Sequence, residues 1–177
     1  MDDRLAVAVT AARVLEASGQ RYALIGSVAC EALGLPQDPA EEGIRFAVEN
    51  HWTVTGDVGQ ACAEGRSGVF KWHGIALRED FCIRLYPAYR CVPRDLLDRA
   101  VPIRINEALI RIAEPGDLLL EAALREGADL VASIHTGFGP IDWDRVEKTA
   151  HKMCPSLPDG KGEAFLECLH LLKSTSG

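Results

Sequence analysis

No cysteine pair in this 177-residue chain has CxxC spacing, no two histidines stand at HxxxH or HExxH spacing, and no apolar run approaches the roughly 18 residues that a membrane span needs. The six cysteines, Cys30, Cys62, Cys82, Cys91, Cys154 and Cys168, are scattered with no secretory signal ahead of them, which reads as reduced thiols packed as small hydrophobes in a cytoplasmic protein. The five histidines, His51, His73, His135, His151 and His170, read as surface or core-edge residues rather than metal ligands. Positive charge is also short. Nineteen Lys and Arg face 26 Asp and Glu, a formal net charge of −7, and this disfavours a protein that coats nucleic acid, since phosphate binding wants a basic face. Internal repeats and low-complexity tracts are lacking too. The N-terminal MDDRLAVAVTAARVLEASG places two acids before its apolar part, which predicts a helix start rather than a targeting peptide.

What is present is ordinary globular material, 47% hydrophobic and 25% charged, in a length that suits one domain with a small helical extension. The organising stretch runs from Tyr22 to Glu49. It predicts a short buried strand over Tyr22 to Ile25, a turn at Gly26-Ser27, a helix from about Ser27 to Leu33, a loop carrying Gly34, Pro36, Pro39, Glu41 and Glu42, and a second strand from Ile44 to Val48. A glycine between strand and helix lets the backbone turn tightly, and Ser27 is expected to cap the new helix through its hydroxyl. Free amides at such a helix start attract anions such as phosphate. The same residues also serve an ordinary strand-to-helix turn.

Around that stretch, Leu5, Val9, Ala12 and Leu15 predict one apolar face of a helix over about Asp3 to Ala17, stopped by Gly19 and packed on a sheet. A short helix is expected near Val58 to Ala63, then strands at Gly68 to Trp72, Ile75 to Leu77 and Phe81 to Tyr86, and a helical turn from Arg94 to Ala100. VPIRINEALIRIA predicts a hairpin of Val101 to Ile105 and Leu109 to Ile112 on a sheet edge, around Asn106-Glu107, without the preferred glycine. From Glu114 the pattern turns helical. Pro115 and Asp117 open a helix through Leu118, Leu119, Ala122 and Ala123, and a second follows at Ala128 to His135. Asp142 caps a third helix with Trp143, Val146 and Ala150, and Gly162 to Lys173 forms a last one. The fold class expected is α+β, a mixed sheet flanked by helices, with residues 1–113 as the core and 114–177 as a small C-terminal helical bundle packed on it.

Three pieces of this chain, YALIGSVACEALGLP, the strand GIRFAV and the block VPIRINEALIRIAEPGDLLLEAALREGADL, together resemble the polymerase-β-like nucleotidyltransferase superfamily. Within it the chain looks most like the uncharacterised bacterial nucleotidyltransferase family, in which a hairpin, a Pro-x-Asp-Leu helix and a later I-D-W-D-R-V segment follow one another, as IDWDRV does here at Ile141 to Val146. The resemblance covers roughly residues 20–153. It implies transfer of a nucleoside monophosphate from a nucleotide triphosphate to an acceptor hydroxyl, with a Gly-Ser turn on the triphosphate, two carboxylates at Asp-x-Asp spacing on the next strand and a third on a later one. Those carboxylates hold two Mg²⁺ ions, which activate the attacking oxygen and neutralise the leaving pyrophosphate. Alternate strand residues share a face, which is why that spacing works.

Matching Phe46-Ala47-Val48 to the family's apolar strand places Gly43 and Arg45 where the two aspartates stand. A like-charge contact at 4 Å costs about 4 kcal/mol at an effective dielectric of 20, and a divalent ion doubles it, so an arginine there opposes Mg²⁺. Glu41 has the strand parity of Arg45 and is the substitute ligand, two positions early; Glu42 has the parity of the buried Ile44 and Phe46. Asp80, in REDFCIRLYP, corresponds to the third carboxylate and is the catalytic and metal candidate; it also reads as a solvated strand-end acid, and another register puts Arg84 in its place. His73 and Lys71 lie near it.

The expected function is a catalytically impaired nucleotide-binding or partner-binding module, with Gly26, Ser27 and Arg45 as nucleotide-binding residues. The alternative is an active transferase, with Asp80 and Glu41 holding metal and the acceptor a small molecule, a peptide or a protein. The cofactors implied are Mg²⁺ with ATP or another nucleotide triphosphate, or none if the site is fully degenerate. The partner expected is a nucleotide or a protein, not nucleic acid and not a membrane.

Overall fold

The structure, a computed structural model, describes residues 3–17, 19–35, 43–49, 68–72, 81–87, 95–126, 141–158 and 160–174. The expected helices near Val58 and Ala128, the short strand near Ile75, and the residues Glu41, Glu42, His73 and Asp80 lie outside that set.

Strands β1 (Tyr22–Ile25) and β2 (Ile44–Val48) are buried at every position, as four- and five-residue apolar strands covered on both faces must be. They pair antiparallel, with Ile25 opposite Arg45 and Tyr22 opposite Val48. Further strands are β3 (Gly68–Trp72), β4 (Phe81–Pro87), β5 (Val101–Ile105) and β6 (Ala108–Ile112). The sheet is six-stranded and mixed, in the order β3-β4-β2-β1-β6-β5. β2 runs parallel to β4, with Arg45 opposite Arg84, and β1 runs parallel to β6. The fold is α+β, as the sequence pattern implied.

The β5–β6 hairpin sits on the sheet edge as expected, with β6 beginning one residue earlier than its apolar pattern suggested. Its two-residue turn works without glycine because Asn106 takes the left-handed conformation, φ 54°. Asparagine tolerates that region better than other non-glycine residues, so the turn chemistry is satisfied by a different residue. β6 alternates buried Ala108, Ile110 and Ile112 with exposed Leu109 and Arg111, the signature of a sheet with one face in the core.

Helix α1 (Asp3–Ala17) packs on β1 and β6, and α2 (Ser27–Ala32) on β1 and β2. The buried face of α1 is Val7, Ala8, Ala11, Ala12 and Leu15, while Leu5 and Val9 are only partly buried. Ala12 and Leu15 of the expected stripe are thus buried, and Val7, Ala8 and Ala11 complete the face in place of Leu5 and Val9. The expected serine cap of α2 is corrected as well. Gly26 is the N-cap, with no side-chain capping bond, and Ser27 is the first helical residue, buried at 3% exposure.

The expected turn from Arg94 is the short α3 (Leu96–Arg99), whose leucines are buried. Helix α4 (Pro115–Glu126) starts at its proline, where no amide is needed. Helix α5 (Trp143–Met153) is capped by Asp142, which accepts from the Arg145 amide at 3.0 Å. A 3₁₀ turn, Cys154–Ser156, leads to α6 (Lys161–Ser174). Helices α4, α5 and α6 pack on one another, and a single core cluster runs from Val7 through Phe46 and Leu119 to Leu172. Among the described residues no helix is long and apolar enough to cross a membrane.

Candidate functional site

β1 ends at Ile25, and Gly26 turns the chain at once with φ 73° and ψ −160°, a region essentially reserved for glycine. A side chain there would be strained whatever its surroundings, so the tight turn depends on this residue type. Ile25 faces Arg45 across the antiparallel pair, which places the Gly26-Ser27 turn beside Arg45 at one end of the two central strands. Three of the expected site residues, Gly26, Ser27 and Arg45, thus lie near one another along the backbone. Gly43 lies at the mouth of β2, also buried.

Arg45 itself is 7% exposed, which only a charge with a partner can sustain. Two groups that sequence reasoning missed surround its guanidinium. Its Nη1 donates to Oε1 of Glu121 on α4 at 2.5 Å, and its Cζ lies over the Tyr86 ring of β4, 4.9 Å from the centroid. The pair is nearly dry: the side chains are 9% and 15% exposed. Tyr86 adds a cation–π attraction that strengthens when water is excluded.

Glu121 belongs to a larger pattern. Glu114, just before α4, and Asp117 and Glu121 within it stand at i, i+3 and i+7, one face of a helix, and each meets an arginine from a different element. Arg99 of α3 donates through Nε and Nη2 to both oxygens of Asp117, each at 3.1 Å, and through Nη1 to Asp95 at 2.6 Å. Arg145 of α5 donates to Asp117 at 2.9 Å and to Glu114. A Cβ at Gly116 would meet the Arg145 guanidinium, so a side chain there would push the far end of that arginine aside. Arg99 holds the Asp95 carboxyl below the usual range. Two forces meet on Asp117, 1% exposed: burial pushes its carboxyl up, to about 6 when set against Arg99, while the second guanidinium, Arg145, favours the charged form. We take the ion pairs to prevail, because two guanidiniums together present three donors to one carboxylate.

The magnesium that the resemblance implied requires paired carboxylates on β2. Of the carboxylates expected to hold it, Glu41 and Asp80 lie outside the described residues, and the one described carboxylate in contact with Arg45, that of Glu121, is engaged by the guanidinium. Among the described residues no group of three or more His, Cys, Asp and Glu could hold a metal ion. What the arrangement shows is a buried guanidinium held between the Glu121 carboxylate and the Tyr86 ring.

No family model and no curated protein matches the sequence. Among solved structures, the chain is similar to an antigenic nucleotidyltransferase-like protein from Paracoccidioides brasiliensis, with a TM-score of 0.49 and 14% identity over 99% of this chain and 89% of that one. A likeness of that degree carries no argument about activity.

Proposed function

We propose that this protein is a nucleotidyltransferase-like module in which metal-dependent transfer has been lost, and that it binds a nucleotide or a protein partner in a cytoplasmic setting. The observation that supports this most is the buried pair of Arg45 and Glu121, set where the resemblance calls for a metal-binding carboxylate. A cation at that place repels Mg²⁺, and a carboxylate committed to it is a poor ligand. The Gly26 turn beside Arg45 supports retained recognition of phosphate, because guanidinium groups pair well with phosphate oxygens in the absence of metal.

The test is calorimetry with ATP and GTP, with and without Mg²⁺, followed by assays for nucleotide transfer and pyrophosphate release. Nucleotide binding that does not depend on Mg²⁺, with no turnover, is the expected result. Magnesium-dependent turnover abolished by Asp80→Asn would overturn the proposal in favour of an active transferase using Asp80 and Glu41. Absence of nucleotide binding would leave a protein-partner role.

A further inference from the structure

The β5–β6 hairpin ends the sheet on one side, and its outer face carries the exposed side chains of Pro102, Arg104, Leu109 and Arg111. The register sets Arg104 opposite Leu109 and Pro102 opposite Arg111, so the four form one patch of two guanidiniums around apolar surface. The free edge of β5 is a separate matter. Ile105 and Ala108 flank the two-residue turn as a hydrogen-bonded pair, and alternation then turns the backbone nitrogens of Pro102 and Arg104 outward. Proline has no amide to offer there. The edge is thus a poor template for another strand, and the hairpin is left to meet a partner through its face.

A lone exposed leucine is ordinary; what sets Leu109 apart is its company, in a chain of net charge −7. Arg21, Arg45, Arg99 and Arg145 are taken by carboxylates of the same chain, whereas no described residue pairs with Arg104, and Arg111 donates to a neutral acceptor, the Ala100 carbonyl, at 3.2 Å. Among the described residues the other large apolar side chain left exposed is Leu171 of α6, at 58% against 54% for Leu109. Helical spacing groups it with Ala164, Glu167 and Glu163, beside His170 and opposite the buried Phe165, Cys168, Leu169 and Leu172. No described residue pairs with either glutamate. One exposed leucine therefore lies among cations and the other among anions.

We propose that the outer face of the β5–β6 hairpin docks the outward stripe of α6 from a second copy of this chain, with Leu109 against Leu171 and Arg104 and Arg111 against Glu167 and Glu163. Both patches are exposed, so they do not cover one another within one copy. Hairpin on hairpin would set guanidinium against guanidinium, and α6 on α6 carboxylate against carboxylate, so complementary charge selects the head-to-tail arrangement. Such a contact is heterologous, and it builds a ring or an open chain of copies instead of a closed two-fold dimer. Its small footprint makes it a weak, concentration-dependent association. The inference does not rest on nucleotide recognition at Arg45.

The experiment is sedimentation velocity on the full chain from about 10 µM to about 1 mM, in about 50 mM and about 500 mM salt. The wild type sediments faster as concentration rises, and high salt reduces the effect. Arg104→Glu and Glu167→Arg each weaken the association at least about tenfold, because each sets like charges together at the contact. An equal mixture of the two variants regains it, since the altered hairpin of one meets the altered helix of the other. A wild type that stays monomeric throughout overturns the proposal, and so does a mixture that stays as weak as its components. Loss with Arg104→Glu but not with Glu167→Arg gives the hairpin face a different occupant and overturns it too. A second measurement needs no variant. In the wild type, the amide resonances of Leu109 and Leu171 shift together with concentration, and movement of one without the other overturns the inference.

Discussion

Gly26 and the pair of Arg45 with Glu121 behave oppositely under substitution. Gly26→Ala puts a Cβ on a backbone at φ 73° and ψ −160°, and the strain costs about 1–3 kcal/mol. Urea unfolding with an unchanged m-value and a lowered midpoint would show it, and an unchanged midpoint would mean the turn relaxes to another conformation. Glu121→Ala leaves a buried guanidinium short of its carboxylate and costs roughly 3 kcal/mol or more, whereas Arg45→Met with Glu121→Leu comes out near neutral or more stable. Denaturation of the two single variants and the double variant closes that cycle; a double variant as unstable as the worst single one would contradict the prediction. At this scale the sequence told half the story. The strand placement of Arg45 and the turn at Gly26 followed from local pattern, because both depend on residues within one short stretch. Glu121 and Tyr86 did not, because they reach Arg45 only through the register of β2 with β4 and the packing of α4, and neither is a local property.

At the level of elements, α4 is fastened by its acidic stripe as much as by its leucines. Asp117 is the central rung, shared by Arg99 and Arg145. We predict that Asp117→Asn destabilises the protein by roughly 3 kcal/mol at pH 7, since two guanidiniums lose the anion they enclose. The sign is informative. If burial outweighed both arginines and held the folded-state pKa above the unfolded one, at about 6, the stability contribution of Asp117 would be greatest at acid pH and lost as pH rose through that value. Asp117→Asn would then be more stable than wild type at pH 7. Urea midpoints for both proteins at pH 5 and pH 7 decide between the two. The helix itself was legible from Pro115, Asp117 and the leucines after them, but the sequence reading gave Asp117 only a role at the positive helix end. The spacing of Glu114, Asp117 and Glu121 was the available signal. A stripe of acids on a helix usually faces water, and only the arginines brought from α3, α5 and β2 turn it inward. The α2 cap was misassigned for a related reason: serine and glycine are adjacent, and the positive φ of Gly26 shows that glycine, not Ser27, is the boundary residue.

For the whole molecule, the acids of α4 tie the division of the chain at residue 113 to the stability of the sheet. Sequence composition separates a sheet-forming part from a helical part there, but the hydrophobic cluster does not stop at that point; it includes Leu118, Leu119 and Leu120 together with Phe46 and Ile110. Arg45 in the central strand takes its carboxylate from Glu121, and Arg99 takes one of its two from Asp117. A fragment of residues 1–113 would therefore keep two arginines evolved for partners it no longer has, one of them buried between strands. Leaving such a charge without its anion costs on the order of 3–5 kcal/mol, a large share of the 5–15 kcal/mol that holds a domain together. The apolar face that α4 covers would be lost in addition. We predict that the fragment does not reach the native fold, giving a collapsed amide proton spectrum where the full chain gives a dispersed one. Restoring residues 114–126 is not expected to be sufficient, because Arg145 and Val146 of α5 complete the enclosure of α4. A dispersed spectrum from residues 1–113 would show that the helical part is an independent addition, and would place the ion-pair ladder outside the forces that fold the sheet.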